Sequence, residues 1–268
     1  METTQTTDTI LALPVRRRVT LNVGQPAHVN LVLAGCGGTG SFLALALARL
    51  AWHCRESHLA ELGLTFVDPD RVEAKNLGRQ NFAPAEIGQF KAEALARRYS
   101  LAFGLQIRYF NEKLQAAHLD RNTRYSDRWL HLIAGCVDTT AARRDIAGMC
   151  KKWDGRLWWL DCGNHDHSGQ VALGNRFDRR LPEISRMGFC VGLPLPSVQH
   201  PELVAKRPRR KANCADDLLA GAQSLMINQL VASWAASYLY RLVVTHDLDV
   251  CATYFDLGAG SARSEAIG

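Results

Sequence analysis

Glycine, acid and cation recur along this chain in an arrangement suited to phosphate chemistry. Gly35-Cys36-Gly37-Gly38-Thr39-Gly40 places four glycines in six residues, and such a string lets backbone amides close on a phosphate because glycine accepts positive φ and carries no Cβ. Asp68 ends the next apolar run, where a carboxylate can accept hydrogen bonds from ribose hydroxyls. Alone the glycine string is equally a packing turn. With the acid it fits nucleotide binding, without separating a dinucleotide such as NAD from ATP. Asp70, Asn76, Arg79, Gln80, Lys91, Asp138 and Arg143 follow. Cations can neutralise phosphate charge in general. Taken singly, Arg79 or Lys91 also suits a solvated surface, and Asp138 a helix cap. Cys214 lies between the cations Lys206 to Lys211 and Asp216 near a helix start, a setting that favours a thiolate, although a free cysteine is as often a small core residue. Packing accounts for Cys36, Cys136 and Cys150, and His165 and His167 lack a third metal ligand at matching spacing.

The elements that must hold these residues alternate. Strands are expected at 29–34, Leu62 to Val67, Leu105 to Phe110, Trp129 to Ala134 and Leu157 to Leu160. Helices are expected at Ser41 to Trp52, Glu86 to Phe103 and Thr139 to Lys152. That order predicts an α/β fold, a doubly wound, mostly parallel Rossmann-like sheet. Gln170 to Leu173 and Ala252 to Asp256 read as strands without regular crossovers. A helix from Asp216 to about Val244, with Leu218, Leu225, Met226, Leu230, Trp234 and Leu239 as its apolar face, completes the fold. The chain therefore divides into an N-terminal extension (1–27), a nucleotide-binding core (28–175), a proline-rich basic loop (176–214) and a C-terminal helix and strand of the same domain (215–268).

With 268 residues, 47% of them hydrophobic, the chain can bury one sizeable core and is neither disordered nor fibrous. Residues 176–211 hold nine basic residues against three acids, which accounts for the whole net charge of +6. A surplus that local argues against a nucleic-acid coat and for one basic loop acting on one acidic partner or tail. Five of the nine prolines fall in the same window, which should resist helix and form a long connection. The eight cysteines include no CxxC pair, so neither a zinc knuckle nor a disulfide framework is expected. The N-terminal stretch has no apolar core flanked by basic residues, and of the two charge-free runs, Leu218 to Tyr240 is broken by Gln223, Asn228 and Gln229 and His28 to Ala48 by four glycines. A cytoplasmic protein without a membrane span is expected.

Asp68-Pro69-Asp70-Arg71-Val72-Glu73-Ala74-Lys75-Asn76-Leu77-Gly78-Arg79-Gln80, then Gly88-Gln89-Phe90-Lys91, then Cys136-Val137-Asp138 to Arg143 follow the glycine turn in order. Together they resemble the ThiF/MoeB/HesA superfamily of adenylyltransferases related to ubiquitin-activating enzymes, whose pattern is GxGGxG, D-x-D-x-V-x-x-x-N-L-x-R-Q, G-x-x-K and C-x-D-x-x-x-x-R. Asp161-Cys162-Gly163-Asn164 and Tyr254 to Ser261 are similar to the ThiF-related member of the ParB-related, ThiF-related (PRTRC) cassette of bacterial plasmids. The resemblance implies that ATP and Mg2+ are used to adenylate the C-terminal carboxylate of a small ubiquitin-like protein with a free tail, by a homodimer. It implies Arg79, Lys91 and Asp138 as catalytic residues, with Asp138 also the magnesium ligand. Gly35, Gly37, Gly38, Gly40, Asp68, Asp70, Asn76, Gln80 and Arg143 would bind the nucleotide, and Cys214, after a crossover loop, would accept the activated acyl group.

Two departures bear on the dimer. Arg16-Arg17-Arg18 stands too near the glycine turn to align with the arginine that relatives donate across it, and the paired CxxC zinc site is absent. The alternatives are adenylation of a tRNA-linked carboxylate, as in the tRNA-threonylcarbamoyladenosine dehydratases, and a non-catalytic scaffold. A nicotinamide dehydrogenase fits the glycines but leaves Asn76, Arg79, Gln80 and Asp138 without a role.

Overall fold

Val29, Leu31, Val32 and Leu33 are all buried, and an apolar run with no solvent face belongs at the centre of a parallel sheet covered on both sides. A computed structural model describes residues 19–119, 123, 126–205 and 225–268. It places this run in β1 (His28–Ala34), followed by α1 (Gly38–Glu56) and β2 (Glu61–Val67). Then come α2 (Lys91–Phe103), β3 (Arg108–Phe110), β4 (Trp129–Gly135), α3 (Thr140–Lys152) and β5 (Leu157–Asn164). The sheet order through β5 is β3-β2-β1-β4-β5, all parallel. The chain therefore leaves β1 in one direction and returns on its other side at β4, and a crevice opens at the carboxyl ends of these two strands.

β6 (Ser168–Gly174), β9 (Val250–Asp256) and β10 (Ser261–Ala266) extend the sheet antiparallel beyond β5. The expected α/β fold, mostly parallel with antiparallel strands added at one edge, is the one formed. One face packs on α1, α2 and α5 (Leu225–Tyr240); the other packs on α3. The described part of α5 buries Ile227, Val231, Ala235 and Tyr238, while Met226 is exposed. Leu239 is buried and Leu230 and Trp234 pack partly buried against the core, as the sequence pattern implies, so Met226 is the departure among the described side chains. It lies on the side of the helix that also exposes Gln229, Ser233 and Ser237.

Two other elements begin later than expected. α2 starts at Lys91 because the 3-10 turn Pro84–Glu86 and Gly88, at φ +87°, break the helix path first. β3 is only its last three residues, paired with Thr65 to Val67. The proline window, read as unbroken loop, contains β7 (Glu183–Ile184), β8 (Cys190–Gly192), the short helix α4 (Pro196–Gln199) and a 3-10 turn at Pro201–Leu203. Proline at the first position of a helical turn costs no hydrogen bond, so Pro196 and Pro201 start turns instead of preventing them. Leu193 and Leu195 are buried, which fastens this stretch to the core.

Candidate active site

The glycine turn is held from three sides. Gly35 adopts φ +89°, and a Cβ there would stand 2.5 Å from the Cys136 carbonyl oxygen. A Cβ on Gly40 would lie 1.9 Å from the Gly35 carbonyl oxygen, so any side chain at either position forces the backbone apart. The turn enters α1 at Gly38 with no side-chain cap, so no side chain competes with an anion for its first amides. Asp68, at the end of β2, is buried; its two carboxylate oxygens accept from the Cys36 and Asp70 amides at 2.6 and 2.8 Å. The expected ribose acceptor is thus already at work clamping the turn to its neighbouring strand. Burial pushes its carboxyl up, and the two amides and nearby Lys91 pull it down.

Residues 68–91 return the chain to the same place. Val72 donates to the Gln89 carbonyl and Gly88 to that of Val72, while Asn76 Oδ1 accepts from the Glu73 amide at 2.8 Å and closes the turn before Arg79. Lys91 is buried with its ammonium 3.1 Å from the exposed carboxylate of Asp70. Gln80 lies against the turn, 3.9 Å from where a Gly37 Cβ would be, and its Oε1 is buried with no hydrogen-bond partner among the described residues. An orphaned acceptor beside a phosphate-sized turn fits a donor supplied by a ligand. Asp138 follows β4, next in the sheet to β1. Its carboxylate is exposed, and the cap of α3 is Thr139, whose hydroxyl accepts from the Ala142 amide at 3.2 Å. Asp138 is therefore not committed to capping, and its chemistry suits one carboxylate contribution to a magnesium ion.

Arg143, expected beside the nucleotide, is engaged by a carboxylate of β5. Its Nε donates to Asp161 Oδ1 at 2.9 Å, and both residues are buried. Burial pushes Asp161 up and Arg143 pulls it down. Cys36 and Cys162 are buried with their thiols pushed up, Cys36 by burial first and Cys162 by its hydrogen bond with Cys136 first, which makes both poor nucleophiles. Among the described residues no group of three or more His, Cys, Asp or Glu side chains is placed to hold a metal ion. Cys214 and Lys206 to Lys211 lie outside the described residues.

One cluster escaped the sequence reading. Asn228 on α5 is fully buried; its Oδ1 accepts from Asn164 Nδ2 and from Thr39 Oγ1, and its Nδ2 donates to the Arg79 carbonyl at 3.1 Å. One amide thus ties the C-terminal helix to the start of α1, the end of β5 and the Arg79 segment. Its only signal in the sequence was a polar residue breaking an apolar run.

The family model described as ThiF family matches residues 25–262. The fold matches the crystal structure of E. coli MccB with ATP at 15% identity and TM-score 0.56, covering 89% of this chain and 64% of that one. The selenomethionine form of PaaA matches at 17% identity and TM-score 0.52, with the same two coverages. The microcin C7 biosynthetic enzyme MccB in complex with N-formylated MccA matches at 14% identity and TM-score 0.56, again over 89% and 64%. At these identities the likeness is one of fold, and the chain spans less than two thirds of each of those proteins. No curated protein matches its sequence.

Proposed function

The chain belongs to the ThiF family, and from that premise we propose that it is an ATP-dependent adenylyltransferase acting on the C-terminal carboxylate of a small ubiquitin-like protein. The observation that carries this reading is the convergence, at the carboxyl ends of β1, β2 and β4, of an uncapped glycine turn, the Asn76–Gln80 segment, buried Lys91 and uncommitted Asp138. MccB, similar in fold, has been crystallised with ATP and with a bound MccA.

In the proposed reaction a carboxylate oxygen attacks the α-phosphorus, the α–β anhydride bond breaks, and pyrophosphate leaves with the bond's electron pair. Arg79 and Lys91 would neutralise the charge that gathers, and the α1 amides would hold phosphate oxygens. Magnesium, held by Asp138 together with phosphate oxygens and water, would supply further neutralisation of the leaving pyrophosphate. Gln80 would meet the nucleotide beside the turn. Arg143 supports the floor of the site through Asp161, and Asp68 shapes the turn. The finer reading adds acyl transfer to Cys214, a homodimer and the role of ThiF-type protein in a PRTRC cassette, in the cytoplasm and without nucleic acid.

The test is ATP–pyrophosphate exchange in the presence of small proteins with free C-terminal tails. Exchange is expected with the wild type and is expected to fall about 100-fold or more in Arg79→Ala and in Asp138→Ala, both still folded. Equal exchange in all three proteins rejects the assignment, and failure of the wild type to bind ATP favours a scaffold.

A further inference from the structure

A run of exposed apolar residues lies at the other end of the sheet. Of the thirteen exposed large hydrophobic residues described, five fall within residues 177–189: Phe177, Leu181, Ile184, Met187 and Phe189, with Leu181 75% and Met187 80% exposed. They belong to the β7–β8 hairpin and the segment leading into it. A soluble protein rarely gathers apolar side chains in water without a partner for them.

The base of the hairpin is well fastened. Cys190 is buried and bridges to Leu21, and the Cys190 amide donates to the Thr20 carbonyl at 3.0 Å. Arg176 pairs with Glu183 at 3.0 Å, and Asn175 Nδ2 donates to the Gly155 carbonyl at 2.7 Å. Gly155 precedes β5, so the hairpin stands at the amino ends of the parallel strands, about 25 Å along β5 from the glycine turn's end. The outer edge of β8 is taken by Leu21, whereas the outer edge of β7 has no strand beside it among the described residues.

Cations surround the apolar group. Lys151 lies 5.3 Å from the Phe177 ring centre, Arg179 shares Glu183 with Arg176, and Arg180 and Arg186 have no ion-pair partner among the described residues. We propose that this hairpin is a docking surface for an extended segment of a partner protein that combines apolar side chains with acidic ones and runs along the edge of β7 that no described strand occupies. Charge complementarity selects the acids, and the exposed apolar group selects their apolar neighbours. Nucleic acid would leave the five apolar side chains without contacts. The proposal is independent of adenylation, because the hairpin shares no residue with the glycine-turn site.

The probe is a labelled 12-residue peptide in which Leu and Glu alternate, titrated into the full-length chain, with a Leu/Lys peptide as control. The Glu peptide should bind at least tenfold more tightly than the Lys peptide. Leu181→Ser with Met187→Ser, and separately Arg180→Ala with Arg186→Ala, should each weaken it about tenfold. All these side chains point into water, so the thermal midpoint and ATP affinity should stay at the wild-type value. ATP affinity is read separately, so failure here is distinct from failure of the proposed enzyme activity. Peptide binding that neither pair of substitutions changes overturns the proposal. So does a wild type that ignores the peptide yet floats with phosphatidylserine vesicles or self-associates in a way that Leu181→Ser with Met187→Ser abolishes, which would assign the patch to a membrane or to a second copy of the chain.

Discussion

Lys91 and Arg143, at the carboxyl ends of the parallel strands, hold their charges inside the protein, whereas Arg180 and Arg186, at the amino ends, hold theirs in water. The two inner cations each pair with a carboxylate, Lys91 with Asp70 at 3.1 Å, with Asp68 nearby, and Arg143 with Asp161 at 2.9 Å. Burying a charge is costly unless a partner and hydrogen bonds offset it, so a buried cation has few permitted positions. The outer arginines are bound by no such condition, and what is unusual around them is the exposed apolar group. One end of the sheet is therefore built in advance for charge, and the other offers a surface that a second molecule can complete.

That contrast can be broken first at Arg143. Arg143→Ala leaves Asp161 buried without its cation and should cost about 3–5 kcal/mol of stability in urea unfolding; a loss below 1 kcal/mol would place the pair in the same class as the exposed arginines. Next in size is Asn228→Leu, which removes three hydrogen bonds around the start of α1 and should cost about 1–3 kcal/mol and weaken ATP binding, whereas Leu181→Ser should stay within about 0.5 kcal/mol. The smallest effect belongs to Asp247, near the amino ends, which the Thr245 hydroxyl and then Arg241 hold below the usual carboxylate range. A lowered carboxyl stabilises the fold above the ordinary aspartate pKa and loses that contribution as pH falls through its own value. Asp247→Asn should therefore lower stability at pH 7 by no more than about 0.5 kcal/mol, because the side chain is mostly exposed, and the deficit should shrink in acid unfolding as the wild-type carboxylate is protonated below the ordinary aspartate range.

Much of the first end was legible before the fold was seen. Glycines packed into a turn after an apolar run, an acid closing the next run, and a cation opening a later helix are local requirements that residue type and spacing express directly. Asp68 illustrates the limit of that legibility: its position was right, but both of its oxygens are engaged by backbone amides, which only the approach of β1 and β2 brings within reach. Arg143 shows the same limit from the other side, since Asp161 reaches it across the packing of β5 on α3. The second end is less legible, because proline and basic content in one window suggest a single connection. Pro182, Pro194 and Pro196 flank ordered elements there, and the surplus of charge that looked like a single loop divides, with Arg176 to Arg186 in and beside a hairpin far from the glycine turn.

The sequence by itself determined the alternation of strands and helices, the glycine turn and the order in which the polar residues follow it, because each depends on neighbours a few positions away. Tertiary structure alone decided which of those polar residues face the crevice and which face one another. Asn228 reached the Arg79 carbonyl and Asn164, and Arg143 reached Asp161, because packing α5 on α1 and α3 on the sheet sets distances that no local spacing encodes.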